Sequence, residues 1–138
     1  MDTPLLITHL KTVGAMMFAL AALHLVFPRR FRWKEDFAQL QDLNRQIFYV
    51  HCFFICLVLV LMGSLCLFFP SEFLAGGELR RLIAAGFALF WSLRLLIQLF
   101  VYDKSLWVGK TLETTVHIVF TGVWGYFTTV FFWVFLTA

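Results

Sequence analysis

The sequence predicts an all-α, polytopic membrane protein: four transmembrane helices in an up-down bundle, with a short interfacial helix between the first two. Three observations carry this expectation. The 138 residues are 62% hydrophobic and only 14% charged, whereas globular domains run about 45–50% apolar and about 25% charged. The apolar residues gather into four runs that are continuous rather than alternating, which favours helices over barrel strands. Each run approaches the ~20 residues that a helix needs to cross a hydrocarbon core. With a mean hydropathy of +0.87, a chain of this length has no soluble core large enough to hide so much apolar surface, and residues 1–138 are expected to form one transmembrane domain.

The first span is expected at about 4–27, closed by Pro28-Arg29-Arg30. Lys11, the apolar run after it and Ala19-Leu20-Ala21 loosely imitate a signal peptide with its cleavage site. Asp2 and the solitary Lys11 make a poor basic leader, so the segment is expected to stay as a helix. The second span is expected at about 46–69, closed by Pro70, the third at about 81–102 and the fourth at about 112–137. Between the first two, Trp33, Phe37 and Leu40 fall on one helical stripe of the segment from Phe31 to Leu40, with charges on the other side. That pattern suits a short helix lying among headgroups.

Basic residues set the orientation. Arg29, Arg30, Arg32, Lys34 and Arg45 in the first connection, with Lys104 and Lys110 in the third, outnumber Lys11, Arg80 and Arg81 on the other side. The first and third connections are therefore expected in the cytoplasm, and both termini outside, periplasmic or extracellular. A pI of about 9.0 could suggest nucleic acid, but the cations flank apolar spans, as topology signals do; no nucleic-acid partner is expected. Arg29, Arg30, Arg32 and Lys34 are instead candidates for anionic lipid.

Small residues mark close helix contacts. Thr121, Gly125 and Thr129 form such a row on the fourth span, Ala15 and Ala19 on the first, and Cys52, Cys56 and Gly63 on the second. The cysteines show neither a Cys-x-x-Cys motif nor a zinc spacing, and read as small buried residues. The spans of Val50-His51-Cys52-Phe53-Phe54 and Val116-His117-Ile118-Val119-Phe120 open alike, but the other two spans align poorly, which points to chance.

In the expected orientation every span offers polar groups to one inner layer: His24 near the end of the first, His51 near the start of the second, Arg94 and Gln98 on the third, and Glu113 and His117 on the fourth. Arg94 is the sharpest of these. A central arginine costs about 2.5–3.5 kcal/mol on insertion scales, and its guanidinium stays charged. It should snorkel to headgroups, pair with Glu113 with help from Gln98, or bind an anion. Histidines near helix ends are ordinarily interfacial. Their shared depth also admits haem ligation by His51 and His117, with His24 as a further axial candidate, or proton relay. A three-histidine metal site is the weaker variant, because carboxylates are few; no metal is expected. His9 stands near the opposite face.

No Gly-rich phosphate loop, His-Glu-x-x-His or Gly-x-Ser-x-Gly motif occurs, so an enzyme is the less expected reading. The leading expectation is a non-catalytic accessory subunit of a membrane assembly, or a binder of lipid or a hydrophobic small molecule. Its partners would be membrane lipids and other membrane subunits, or copies of itself. It would carry no cofactor; a haem b or quinone electron-transfer protein is the alternative, and a small oligomeric transporter the second.

Overall fold

Continuous apolar runs without interior proline leave the backbone one way to satisfy its N–H and C=O groups in lipid, which is the helix. Every element among the described residues of the computed structural model is helical. The described residues are 3–30 and 32–137. Asp2 of the leader reading and Phe31 at the head of the amphipathic stretch lie outside them. The elements are α1 (Thr3–Arg30), α2 (Trp33–Asp36), a 3₁₀ turn (Phe37–Gln39), α3 (Asp42–Phe68), α4 (Pro70–Leu74), α5 (Glu78–Phe100), a second 3₁₀ turn (Lys104–Leu106) and α6 (Thr111–Thr137). Helices α1, α3, α5 and α6 are long and apolar enough to cross a membrane.

Helix α1 at its end, and α3 and α5 at their starts, overrun the apolar runs that suggested them for electrostatic reasons, whereas α5 stops at Phe100, short of the expected 102. Helix α1 continues through Pro28 to Arg30, with Arg29 and Arg30 in its last turn, where cations complement the exposed carbonyls. Helix α3 starts at Asp42, whose carboxylate sits at the positive N-terminal end and pairs with Arg45. Helix α5 starts at Glu78 for the same reason. Polar residues therefore extend the helices beyond the stretch that hydropathy marks.

The amphipathic stretch after α1 departs from a single helix. It forms only the short α2 and the 3₁₀ turn, and Leu40 is extended, with φ −77° and ψ 147°. Leu40 thus leaves the stripe that Trp33 and Phe37 share. Those two rings pack on each other and on Phe48 at the start of α3, with centroid separations of 5.6, 4.9 and 4.5 Å. Arg29, Arg30, Arg32 and Lys34 are all exposed beside this cluster in sequence, and Arg32 is paired with Glu35.

The chain divides into two units. One runs from Thr8 to Pro70, and the other from Ser71 onward together with the start of α1 up to Ile7. In the first unit α1 and α3 are antiparallel, because Gly14 meets Gly63 and Leu67 while Ala21, farther along α1, meets Cys56, farther back on α3. Gly14 and Gly63 let the two backbones nearly touch. In the second unit α5 and α6 form an antiparallel hairpin. Arg81 lies over Phe135, Phe87 packs on Phe131, Trp91 stacks on Trp124, and Gln98 meets His117. Ala84, Ala88, Trp91 and Gln98 are the buried positions of α5, a period of three or four that gives one continuous face.

The glycine crossing yields a test. A Cβ on Gly14 would lie 2.8 Å from the Gly63 carbonyl oxygen and 2.9 Å from the Leu67 backbone nitrogen, and backbone cannot step aside cheaply. Gly14→Ala should cost about 1–3 kcal/mol through overpacking. Gly122→Ala, where a Cβ meets nothing within 4 Å, should be neutral. Thermal unfolding in detergent, followed by circular dichroism, separates the two; equal melting would refute the close crossing.

Candidate functional site

The end of the α5–α6 hairpin beside its connection is where polar groups converge. Arg94 and His117 each lie about 9 Å from the helix ends at Phe100 and Thr111. Antiparallel packing therefore brings them to one level. Gln98, one turn beyond Arg94, bridges them. Its Oε1 accepts from Arg94 Nη1 at 3.3 Å and from Trp124 Nε1 at 3.4 Å, and its Nε2 donates to His117 Nδ1 at 2.8 Å. Gln98 is 6% exposed and is the buried polar residue of the described core.

This network fixes a tautomer. Guanidinium and indole N–H groups can only donate, so the amide oxygen must face them and the amide NH₂ must face the imidazole. His117 Nδ1 then has to accept, which puts the ring proton on Nε2. That assignment follows from the hydrogen-bond partners rather than from visible hydrogens. His117 also lies flat against Trp107, with ring centroids 4.3 Å apart and planes 6° apart. Trp107 is held in the connection through its carbonyl, which accepts from Thr114 Oγ1 at 2.6 Å. Its indole Nε1 is removed from solvent and has no hydrogen-bond partner.

Arg94 is stabilised by rings and not by a carboxylate. Its guanidinium carbon is 4.9 Å from the Trp124 centroid and 5.6 Å from that of Tyr102. Desolvated contacts of this kind are worth up to about 2 kcal/mol, the same order as the insertion cost of a central arginine. Among the described residues Arg94 forms no ion pair. Glu113 is exposed and does not reach it. The reach toward Tyr102, at the connection end of α5, is a partial snorkel within the protein.

A cleft of about 530 Å³ opens at this end, lined by Leu99, Tyr102, Asp103, Lys104, Trp107 and His117 among others. Such a volume lies within the usual range for small-molecule sites, about 300–1,000 Å³. Its walls change character with position: aliphatic and aromatic along the last turn of α5, polar and charged at the connection. Asp103 accepts from the Ser105 backbone N–H at 2.8 Å, and that bond holds its carboxyl below the usual carboxylate range. The cleft wall therefore sets the Asp103 carboxylate beside the basic side chain of Lys104.

Arg94, Gln98 and His117 meet directly. His24 and His51 belong to the other unit and are built differently. Each uses Nδ1 to donate to the carbonyl one turn earlier on its own helix, Leu20 and Ile47 respectively, both at 2.8 Å. That leaves their Nε2 with a free lone pair, as in a typical metal-ligating histidine, whereas His117 Nε2 bears a proton. Among the described residues no three His, Cys, Asp or Glu side chains gather as a metal site.

Trp107, Trp124 and Tyr102 were not visible as site residues from sequence. Two of them carried a signal: Tyr102 is on the Arg94–Gln98 stripe, and Trp124 is two turns from His117. Trp107 sits in an irregular connection, where no periodicity marks it. The tautomer assignment can be checked by ¹⁵N NMR of the imidazoles. His117 should show protonated Nε2, while His24 and His51 show protonated Nδ1. Three identical patterns would contradict the network, and Gln98→Leu should erase the difference at His117. No protein-family model, no curated protein and no solved structure matches this chain.

Proposed function

We propose that the protein is a non-catalytic, multi-pass membrane protein that binds a lipid or similar amphiphile in the cleft between α5, α6 and their connection. In this reading the four long helices form an up-down bundle. Both termini are outside, and the first and third connections are cytoplasmic. The α2 region lies among the headgroups, with Arg29, Arg30, Arg32 and Lys34 against anionic lipid. The protein works as an accessory subunit of a larger membrane assembly, or as copies of itself.

The observation that carries this reading is the cleft's graded lining at a helix end. Leu99, the adjoining last turn of α5 and the Trp107 ring offer apolar wall, while Tyr102, Lys104 and His117 carry donor groups. An amphiphile matches that gradient, with its chain along the helices and its head at the connection. The His117 network supports it, because a proton on Nε2 makes the ring a donor to a ligand oxygen. The same tautomer weighs against the pairing of His51 and His117 on a haem iron, which needs a lone pair at that nitrogen.

Mild-detergent purification followed by native mass spectrometry tests the proposal. The expected outcome is about one retained amphiphile per chain, with occupancy falling roughly tenfold in Trp107→Ala, as the loss of one stacked aromatic wall implies. Equal retention by the parent and Trp107→Ala would count against the cleft. A Soret absorption band in protein from its own membrane would favour the haem alternative instead.

A further inference from the structure

We infer that the cleft selects an anionic phosphate head, with Arg94 and Lys104 supplying the charge and His117 a directed hydrogen bond. The inference rests on the amphiphile reading above and adds the ligand's charge to it. It begins with Arg94, a guanidinium within a membrane-crossing helix that has no carboxylate partner among the described residues. Of its five N–H groups, one bond is recorded, to Gln98, and at 3.3 Å it is long for a charged donor. The rest of its stabilisation comes from ring faces, which lower the cost of the charge without neutralising it.

Arg94 stands one side chain behind the cleft wall. Tyr102, under its guanidinium, lines the cleft, and so does His117, which shares Gln98 with it. Lys104 lines the cleft from the connection. The lining side chains that carry a donor are Lys104, His117 and Tyr102, and the Trp107 indole N–H is buried without an acceptor. Asp103 is the one carboxylate among the lining side chains, and it accepts from the Ser105 backbone N–H. Counting Arg94, Lys104 and Asp103, the local charge is positive. Glu113 and Lys110, both exposed at the adjoining start of α6, offset each other. Lys104 in the wall of a 530 Å³ space, with the Arg94 guanidinium behind Tyr102, makes the surroundings favourable to an anion, and lysine and arginine are the usual phosphate partners.

The chemistry could come from a lipid headgroup or from free phosphate, and the test keeps these apart. The full chain in nonionic detergent is offered phosphatidic acid, diacylglycerol with the same acyl chains, and inorganic phosphate, with occupancy read by native mass spectrometry. Phosphatidic acid should bind at least about tenfold more tightly than diacylglycerol, the effect of one charge-assisted hydrogen bond. Arg94→Gln and Lys104→Gln should each shrink that preference to about threefold or less, while Arg94→Lys keeps most of it. Arg80→Gln, which removes a cation at the opposite end of α5, should leave it unchanged. If Arg94→Gln does not fold, Lys104→Gln, in the exposed connection, decides alone. Equal binding of phosphatidic acid and diacylglycerol, or equal losses in Arg80→Gln, overturns the inference while the amphiphile reading stands. Binding of neither lipid removes both. Inorganic phosphate binding as tightly as phosphatidic acid supports the anion site and removes the role of the acyl chains.

Discussion

The amide of Gln98 has two lone pairs and two protons, and at the connection end of the α5–α6 hairpin almost all of this capacity is assigned. Two donor-only groups, Arg94 and Trp124, take the oxygen. What remains for the nitrogen is His117, which must then accept. One side chain thereby fixes the position of a charge, the tautomer of an imidazole and the approach of two helices. Its low exposure raises the stakes, because buried polar groups that lose a partner pay the full desolvation cost. A leucine at this position would strand three groups at once. The cleft inherits its geometry from that constraint, since His117 and, through Arg94, Tyr102 both stand in its wall.

The two units solve lipid packing in contrasting ways. Between α1 and α3 the means is absence: Gly14 and Gly63 remove side chains so that backbones approach. Between α5 and α6 the means is bulk. Phe73, Phe87 and Phe131 interlock at one end, and Trp91, Trp124 and Phe127 in the middle. Aromatic pairs at these separations add about 0.5–1.5 kcal/mol each beyond their area. A hairpin held by rings along most of its length can carry an unpaired guanidinium near its end without parting there. Trp124 serves both purposes, as a core ring against Trp91 and as a face for Arg94.

Much of this was legible in the sequence, for a physical reason. Hydrocarbon imposes its own length and polarity on a chain, so the four long helices follow from composition with little help from tertiary contacts. The shared depth of Arg94, Gln98 and His117 followed from counting residues along helices. Helix ends were less legible, since Asp42 and Glu78 start their helices by charge at positions that hydropathy ignores. The small-residue row on the first span was read at Ala15 and Ala19, whereas the tight contact falls on Gly14, one residue away. The three histidines looked equivalent. Their difference lies in which nitrogen is engaged, and only a partner in space, a backbone carbonyl or the Gln98 amide, decides that. Trp107 lay in a connection too irregular to have a pattern.

The position of Glu113 decides what kind of site this can be. Spacing alone puts it one turn before His117 and invites an ion pair with Arg94. The start of α6 turns another residue inward: Thr114 donates to the Trp107 carbonyl, and Thr114, His117, Thr121 and Trp124 continue the stripe at steps of three and four. Glu113 is left on the exposed side. Had it faced Arg94, the pair would have neutralised itself, and the cleft would carry only the opposing charges of Asp103 and Lys104, with no preference for a ligand's sign. With Glu113 turned away, the positive charge is held by rings and one amide, which position it without cancelling it. A carboxylate inside would neutralise the guanidinium; with Glu113 on the surface, the rings and the Gln98 amide hold the charge instead.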